Sequence, residues 1–457
     1  MSELSALLRS PVAVLGGGVT GKAIIAFLQK REIEFSLFDE KKSELDGVKA
    51  ETELKEAGIF GLAIVSPGWR RDHPLVQQFS RAGVRVISEI DLAWLVRNEI
   101  APDQKWVALT GTNGKTTTIQ MVQSIFDAAG IHGLACGNVG EPALSALMHE
   151  KPYEVLALEL SSFQIEWSEL PVYDAVAILN IAEDHIDWHG SFDAYANAKM
   201  RLVGSADVAI LNAQDPEIVT RSTAFTGRKI FYSLDTPASG ELGLVEELLV
   251  DRAFGENPSE AAMIAELMDI KPQVPHNISN ALAAAGLALS LHISHADIKK
   301  GLSTFALDHH RLEKVAESEG IAWINDSKAT NPHAAIAGIL SHTTVIWIAG
   351  GLAKGARVDE LVKRAAPRLK AVLLIGTDRE LFADALTRYA PQIPLYRIDG
   401  TGGSESLMRS IVAQAKEIAA PGDVVLLAPA CASMDQFSSY AQRGELFTRE
   451  VLAQVQS

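Results

Sequence analysis

The chain has 457 residues, and its 47% hydrophobic and 21% charged side chains are typical of soluble globular proteins. This composition excludes a disordered or fibrous protein. The formal net charge of -16 argues against nucleic acid and anionic membranes as partners, so any anionic ligand must be met by local donors. The two cysteines, Cys136 and Cys431, lie far apart without CxxC or Cys/His spacing, which excludes a disulfide framework and a zinc site of that kind.

The N-terminal sequence has no signal-like cleavage region, and no uncharged run reaches ~18 residues. We therefore expect a cytoplasmic protein that works as a monomer on small molecules. The chain is too long for a single hydrophobic core, because such cores stop growing near ~250 to 300 residues. We predict three α/β domains, over residues 1–100, 101–307 and 308–457.

The first block begins with an apolar strand over residues 12–15, a glycine-rich turn and a helical pattern. The GxGxxG pattern of dinucleotide-binding folds is met by Gly16, Gly18 and Gly21. Asp39 ends the next strand, about where such folds place a ribose-binding acid. Strand patterns within 61–69 and 84–95 follow so closely that only half of a doubly wound sheet fits before residue 100. A single mononucleotide-type half is therefore predicted.

The second block contains a strand, a glycine-rich turn and an amphipathic helix in direct succession, around the stretch LTGTNGKTTT at 109–118. Backbone N–H groups at such a helix start, together with a lysine, bind phosphate oxygens. The predicted phosphate-binding residues are Gly111, Thr112, Asn113, Gly114, Lys115, Thr116 and Thr117. The common pattern has a glycine five positions before its Gly-Lys pair, where this chain has Leu109. A plain strand-to-helix turn with an exposed lysine is the alternative.

Polar residues follow two further apolar strands of this block, at 153–160 and 174–181. Ligands gather at the carboxyl ends of strands in open α/β sheets. Glu159 ends the first strand, and the segment NIAEDHIDWHG, with His185, follows the second. A carboxylate there can hold Mg²⁺ against phosphates. An exposed strand-end carboxylate and a solvated histidine loop remain the alternatives.

In the third block, strands again alternate with helical segments. The strand patterns are AWINDSK, TTVIWIAGG, AVLLIG and DVVLLAPA. Continuous apolar runs of this kind favour parallel strands buried on both faces. The whole chain thus reads as three mainly parallel sheets flanked by helices.

Four motifs in this order, GTNGKTTT, ELSSFQ, NIAEDHIDWH and DHHRLE, resemble the Mur ligase family of ATP-dependent, amide-forming enzymes of peptidoglycan synthesis. That family carries the short GTNGKT form of the loop. The resemblance implies a Rossmann-like N-terminal domain for a UDP-sugar, a central P-loop ATPase domain and a Rossmann-like C-terminal domain for the amino acid.

The resemblance also implies roles for residues around ATP and two Mg²⁺ ions. Thr116 and Glu159 would hold one ion and His185 the second, while Lys199 would be carbamylated into a carboxylate-like metal ligand. Without the family, Lys199 reads as a surface helix lysine. The remaining nucleotide contacts that the resemblance implies are Asn277, Asn280, Arg311 and Asp326. For the two asparagines, plain helix N-capping is the alternative.

NDSKATN and PACASMDQF resemble the glutamate-adding branch of the family. The implied reaction joins D-glutamate to UDP-N-acetylmuramoyl-L-alanine through an acyl phosphate. The residues implied to hold these substrates are Val19, Thr20, Ser66, Gly68, Asn138, Lys328, Thr330, Lys354, Ser433 and Tyr440. Three features depart from the family pattern: Glu40 and Lys41 near the uracil, Tyr440 in place of a phenylalanine, and the loop around Lys354.

Three alternatives remain open from the sequence. A nicotinamide-dependent oxidoreductase would use the N-terminal glycines and Asp39 but leaves GTNGKTTT unexplained. A nucleotide-gated binding protein would hydrolyse ATP slowly without forming product. A ligase of the same class could add L-glutamate or another amino acid.

Overall fold

The computed structural model describes residues 3–39, 49–50, 54–255, 257, 260–307, 309–400 and 402–455. Glu40 and Lys41, expected near the uracil, lie outside these residues. Contacts divide the chain into two compact units, Met1–Ile181 with Asp193–Phe305, and Ala182–Phe192 with Ala306–Ser457. The first unit holds two sheets and the second holds one. The domain boundaries near residues 100 and 307 stay predictions.

The first sheet is parallel throughout, with strand order β2-β1-β3-β4. Its strands are β1 (Val12–Leu15), β2 (Phe35–Phe38), β3 (Leu62–Val65) and β4 (Arg85–Ser88). Its helices are α1 (Glu3–Leu7), α2 (Val19–Lys30), α3 (Pro74–Arg81) and α4 (Glu89–Ile100). The four-stranded sheet confirms the predicted half of a doubly wound fold.

The central sheet has the order β13-β12-β11-β10-β9-β8-β5-β7-β6. Its parallel strands are β5 (Lys105–Thr110), β6 (Gly133–Gly137), β7 (Val155–Glu159), β8 (Ala175–Ile178), β9 (Val208–Asn212), β10 (Arg228–Tyr232) and β11 (Glu241–Val245). The residues of β7 and β8 are all buried, as expected for parallel strands covered on both faces. The carboxyl ends of β5, β7 and β8 meet at one edge because these three strands are neighbours.

An antiparallel extension lies at the far edge of this sheet, where β11 pairs with β12 (Leu248–Asp251) and β12 pairs with β13 (Ala262–Glu266). No strand pattern in the sequence predicted this extension. The helices that follow α4 in the chain are α5 (Lys115–Ala129), α6 (Ala143–Ala146), α7 (Ser162–Trp167), α8 (Ile186–His189), α9 (Phe192–Met200), α10 (Pro216–Arg221), α11 (Pro275–Ser290) and α12 (His295–Thr304). Of these, α8 belongs to the second unit. Helix α11 begins at Pro275 and is rich in alanine.

The sheet of the second unit has the order β14-β15-β19-β16-β17-β18, and every strand pair except β14–β15 is parallel. Its strands are β14 (Glu313–Ser318), β15 (Ile321–Asn325), β16 (Val345–Gly350), β17 (Leu369–Ile375), β18 (Leu395–Arg397) and β19 (Val424–Leu427). Its helices are α13 (Pro332–Leu340), α14 (Asp359–Ala365), α15 (Arg379–Tyr389), α16 (Gly403–Ile418) and α17 (Tyr440–Val455). Apolar clusters cover both faces of this sheet.

The three mainly parallel sheets flanked by helices confirm the predicted fold class. No helix in the described part of the chain combines the length and apolarity needed to cross a membrane.

Candidate functional site

The predicted phosphate loop connects β5 to α5, and its shape depends on two glycines. Gly114 has φ +83°, and a Cβ there would lie 2.4 Å from Asn280 Oδ1. A Cβ on Gly111 would lie 2.9 Å from the Cβ of Leu179. The N-cap residue of α5 is Gly114, which has no side chain that could bond the first N–H groups of the helix. The first N–H groups of that helix are therefore suited to an anion.

Two lysine side chains converge on this loop. Lys115 Nζ donates to the carbonyl oxygens of Gly111, at 2.9 Å, and Thr112, at 3.0 Å. Lys199 Nζ donates to the same Gly111 oxygen at 2.8 Å, and its side chain is buried. Since both bonds end on one oxygen atom, the two ammonium groups are close neighbours. Like charges repel, so this arrangement favours an anion, or a changed charge on one lysine, at the loop.

A third side chain, Asn180, clamps the loop from the end of β8. Its Oδ1 accepts from the backbone N–H of Asn113 at 2.8 Å, and its Nδ2 donates to the carbonyl of Asn113 at 3.0 Å. The Asn180 carbonyl also accepts from the N–H of Thr112. The sequence places Asn180 at a strand end but assigns it no role. Only the structure identifies it as the partner of the loop backbone.

The two asparagines of α11 differ in their surroundings. Asn280 packs against Gly114, as the short distance to a Cβ there shows. Asn277 Nδ2 donates to the carbonyls of Lys271 and Pro272, both at 3.1 Å, and so fixes the turn that enters α11. Neither asparagine is the N-cap residue of α11, because that position is Val274. Adenine contact by Asn277 and Asn280 stays a prediction.

Glu159 is buried at the carboxyl end of β7, directly beside β5. Its Oε1 accepts from Asn138 Nδ2 at 3.0 Å, whereas Oε2 has no hydrogen-bond partner among the described residues. A buried carboxylate oxygen without a partner costs ~1 to 3 kcal/mol or more, which a cation would offset. Glu159 and the buried Thr116 hydroxyl of α5 are oxygen donors of the kind Mg²⁺ prefers. These residues fit the implied metal.

Lys199 also contacts an aromatic side chain of its own helix, α9. Its Nζ lies 4.8 Å from the centre of the Tyr195 ring, and the Tyr195 hydroxyl is 2.8 Å from Thr112 Oγ1. The surface-lysine alternative is wrong, because Lys199 is 2% exposed. No group of three or more His, Cys, Asp or Glu that could hold a metal occurs among the described residues. Carbamylation of Lys199 stays a prediction.

In the N-terminal sheet, the loops after β1 and β3 touch each other. Ser66 Oγ donates to the Gly16 carbonyl at 3.2 Å, and Val19 and Thr20 begin α2 next to this contact. Gly68 follows Ser66 in the second loop. Asp39 Oδ2 accepts from the N–H of Gly17 at 2.6 Å, so this carboxylate occupies a loop donor that a dinucleotide pyrophosphate would need.

In the second unit, a pocket brings together three of the predicted residues, His185, Thr330 and Lys354. His185 has φ +52° and Lys354 has φ +50°, a backbone region that L-residues rarely adopt. Such strain concentrates at functional sites. Glu183 and Asp184 also line this pocket, and Asp184 Oδ2 lies 3.7 Å from His185 Nε2.

The other predicted residues of this unit surround the ends of β15 and β19. The Lys328 ammonium lies 5.1 Å from the centre of the Tyr440 ring, so the tyrosine at this position contacts a predicted substrate residue. Ser433 is buried, and the adjoining Ala432 pairs with Leu352 of the Lys354 loop.

Asp326 follows β15 and is buried. Burial raises its pKa to about 7, while the Leu312 N–H and the Arg311 guanidinium act in the opposite direction. Arg311 and Asp326 are thus electrostatic neighbours, as a shared nucleotide role would require.

A strand, a tight glycine turn and an uncapped helix, with lysines and a buried carboxylate around them, define a nucleotide-binding α/β protein of the phosphate-loop class. Residues 109–288 match the model of the Mur ligase middle domain, and residues 310–431 match that of the Mur ligase glutamate ligase domain. The chain belongs to the Mur ligase family.

The chain is 43% identical to UDP-N-acetylmuramoylalanine–D-glutamate ligase from Thermobifida fusca, over 97% of this chain and 98% of that protein. It is 46% identical to the protein of the same name from Streptomyces coelicolor, over 96% of this chain and 97% of that protein. The fold is similar to that of the MurF ligase from Thermotoga maritima in complex with ADP, with a TM-score of 0.59, 18% identity, and coverage of 99% of this chain and 100% of that one.

Proposed function

We propose that the chain catalyses the ATP-dependent addition of D-glutamate to UDP-N-acetylmuramoyl-L-alanine, through an acyl phosphate, in the synthesis of peptidoglycan precursors. The names of its full-length relatives support the substrates. The observation that carries the chemistry is the convergence of Lys115 and Lys199 on the Gly111 carbonyl of a loop that Asn180 clamps.

In the first step, the loop binds the triphosphate. The N–H groups at the start of α5 and the Lys115 ammonium offset the charge that gathers on the γ-phosphoryl oxygens during transfer to the substrate carboxylate. Lys115 has to release its two loop carbonyls to reach a phosphate. Asn180 would keep the loop backbone in place while it does so.

Mg²⁺ is the metal we propose here, with Thr116 and Glu159 as ligands of one ion, His185 as a ligand of a second, and carbamylated Lys199 as a further metal ligand. When bound, Mg²⁺ supplies charge neutralisation and orientation of the phosphates. Asn138 holds one oxygen of Glu159, which leaves the other oxygen available.

In the second step, the neutral glutamate amine attacks the carbonyl of the acyl phosphate and the C–N bond forms. The nitrogen gives up one proton to solvent, and inorganic phosphate leaves with the electrons of the C–O bond. Lys328, Thr330, Lys354 and Ser433 are proposed to hold the glutamate carboxylates through ammonium and hydroxyl donors. Val19, Thr20, Ser66 and Gly68 are proposed to hold the uridine diphosphate, in the two loops that Ser66 links. Asn277, Asn280, Arg311 and Asp326 are proposed to contact the nucleotide.

An ATP-dependent ligation assay tests this function. D-Glutamate, L-glutamate, L-alanine, L-lysine and diaminopimelate are compared in parallel with UDP-N-acetylmuramoyl-L-alanine, and the product is followed by mass spectrometry. We expect ligation with D-glutamate and phosphate release that requires both substrates. Phosphate release without product would support a nucleotide-gated binding protein, and preference for another amino acid would reassign the substrate.

The carbamate on Lys199 has its own test. Lys199→Ala should abolish turnover, and added formate or acetate should restore part of it by taking the place of the carbamate near Gly111. Lys300→Ala, which removes an exposed lysine of α12, is the matched control and should change neither rate nor rescue. If no concentration of short carboxylate restores activity in a folded variant, the modification is refuted.

A further inference from the structure

A second pocket lies in the first unit, and its lining contains none of the phosphate-loop residues 111–117. Its volume is about 150 Å³. Apolar side chains of Leu160, Ile165, Pro171 and Leu202 form part of its wall. An engineered apolar cavity of similar size in another protein binds benzene, so this pocket can hold a single small ring.

Two hydroxyl groups in the wall lack the partners that buried hydroxyls normally have. Tyr173 is 3% exposed, and neither its hydroxyl nor Ser168 Oγ has a hydrogen-bond partner among the described residues apart from the interaction between these two groups. Burial raises the pKa of Tyr173 above its ordinary value, and the nearby Ser168 acts against this rise. Tyr173 therefore stays protonated and can donate a hydrogen bond to an acceptor inside the pocket.

Charges around the pocket are already paired. Arg201 lies 3.5 Å from a carboxylate oxygen of Glu166 and 4.0 Å from one of Glu169, while Arg71 lies 2.7 Å from Glu169. The acidic Asp91, whose Oδ1 binds the N–H groups of Glu169 and Leu170, lies just behind the loop that carries Ser168. An anionic ligand would be repelled by the Asp91 carboxylate. A cationic ligand would have to compete with Arg71 and Arg201 for their carboxylate partners. The ligand that fits is uncharged.

We infer that this pocket is a binding site for a small uncharged cyclic molecule that carries a hydrogen-bond acceptor. The ring packs against Leu160, Ile165 and Leu202, and the acceptor receives the hydrogens of Tyr173 and Ser168.

The location of the pocket couples it to the nucleotide site. Leu160, in its wall, directly follows Glu159; its N–H donates to the Leu109 carbonyl at 2.9 Å, and its own carbonyl accepts from Thr110 Oγ1 at 2.7 Å. Leu202, also in the wall, lies three residues beyond Lys199. A ligand that packs against Leu160 therefore contacts a residue that is hydrogen-bonded to the strand leading into the phosphate loop. ADP and the ligand should therefore change each other's affinity by the same factor, about fivefold.

Benzamide is the probe, because its ring fits the volume and its carbonyl accepts hydrogen bonds. Calorimetric and ligand-observed NMR titrations of the full chain should show saturable, one-to-one binding in the millimolar range, as expected for so small a ligand. Benzoate and benzamidinium, with the same ring and opposite charges, should bind at least several-fold more weakly. Tighter binding of either ion would overturn the proposed ligand class.

Two variants locate the binding. Ser168→Met fills the pocket and should abolish binding, whereas Tyr173→Phe removes one donor and should weaken it roughly fivefold. Ser303→Met, an exposed serine of α12, is the matched control and should bind as the unchanged chain does. Unchanged affinity in both pocket variants would place the ligand elsewhere.

A crystal of the unaltered chain soaked with benzamide makes the test independent of any variant. Density for the ring beside Leu202, with its carbonyl at Tyr173, is the expected result. Ordered water alone in the pocket would refute the site. Equal benzamide affinity with and without ADP would refute the coupling.

Discussion

At the scale of single residues, two features of the phosphate loop and its surroundings indicate a ligand site. Lys115 and Lys199 share one carbonyl acceptor, and Glu159 keeps one buried oxygen without a partner in the described chain. Each feature costs free energy in the folded protein. A bound phosphate would offset the repulsion between the two lysines, and a bound cation would satisfy the Glu159 oxygen. The two features together therefore favour a phosphate bound with a metal ion.

Replacement of Lys115 tests this interpretation. Lys115→Ala removes a charge that bound phosphate needs, so we expect kcat/KM to fall by ~10²-fold or more. The free energy of unfolding should change little, because the two hydrogen bonds from Lys115 to the Gly111 and Thr112 carbonyls stay within its own segment. The checks are steady-state kinetics, ADP titration and thermal unfolding, with Lys300→Ala as control. Near-normal turnover in the variant would remove Lys115 from the mechanism.

At the scale of elements, the sequence predicts what depends on local pattern. The order of β5, loop and α5 follows from an apolar run, two glycines and an amphipathic repeat, and the structure confirms it. Asn180 is different, because its hydrogen bonds join residues 67 positions apart in the sequence. The strands β12 and β13 are short and their antiparallel pairing carries little periodic signal. The local sequence pattern therefore misses contacts between distant residues, such as the bonds of Asn180, and the antiparallel pairing of short strands.

Removal of the Asn180 side chain should make the phosphate loop less ordered before nucleotide binds. Asn180→Ala removes two hydrogen bonds to Asn113, so the loop has to be ordered by the nucleotide itself. We expect ADP to bind roughly tenfold more weakly, on the order of 1.4 kcal/mol, while the other substrates bind unchanged. Calorimetric titration of ADP measures this. Asn98→Ala, an exposed asparagine of α4, is the control, and equal ADP affinity in the two variants would show that the clamp is dispensable.

Helix α4 joins the first sheet to the central part through two buried acids. Glu89 Oε1 accepts from the N–H of Leu144 at 2.6 Å, and Asp91 Oδ1 accepts from the N–H groups of Glu169 and Leu170. Burial raises the pKa of both carboxyl groups, that of Glu89 to about 7, and the charge of Asp91 contributes to that rise. The sequence assigned these acids no role, because both fall within the segment 84–95 that was predicted to contain a strand.

This helix predicts a pH-dependent stability. Burial raises the pKa of Glu89 from its ordinary value of 4.5 to about 7 in the folded protein. Between pH 4.5 and about 7 the folded state therefore keeps a proton on Glu89 that the unfolded state has lost, and the free energy of unfolding falls as the pH rises through this range. Glu89→Gln keeps the acceptor for Leu144 but cannot ionise. Its free energy of unfolding, from urea titrations, should match the unchanged chain near pH 5 and exceed it at pH 8, on the order of 3 kcal/mol. The exposed Glu99→Gln should show no such divergence, and a constant difference across the range would contradict the assignment.

At the scale of the whole molecule, the sequence predicts three α/β domains because each of their sheets follows from local strand and helix patterns. It does not predict how contacts group them, and two sheets share the first compact unit. The family resemblance supplied most site residues, and the structure supplied their neighbours, such as Tyr195 for Lys199 and Tyr440 for Lys328. Physical reasons for a residue's role therefore come mainly from contacts distant in sequence.

The proposed function assigns ATP mainly to the first unit and the amino acid to the second, which predicts separable kinetic effects. Lys354 lines the pocket of the second unit with Thr330 and His185, whereas the phosphate loop lies in the first. Lys354→Ala removes a charge-assisted contact worth roughly 1.5 to 3 kcal/mol, so the KM for D-glutamate should rise at least tenfold. ADP affinity should stay within about twofold, because no phosphate donor is lost. Lys363→Ala, an exposed lysine of α14 paired with Glu360, is the matched control. A rise in the KM for ATP equal to that for D-glutamate would mean that Lys354 serves the nucleotide, and the division of labour would have to be given up.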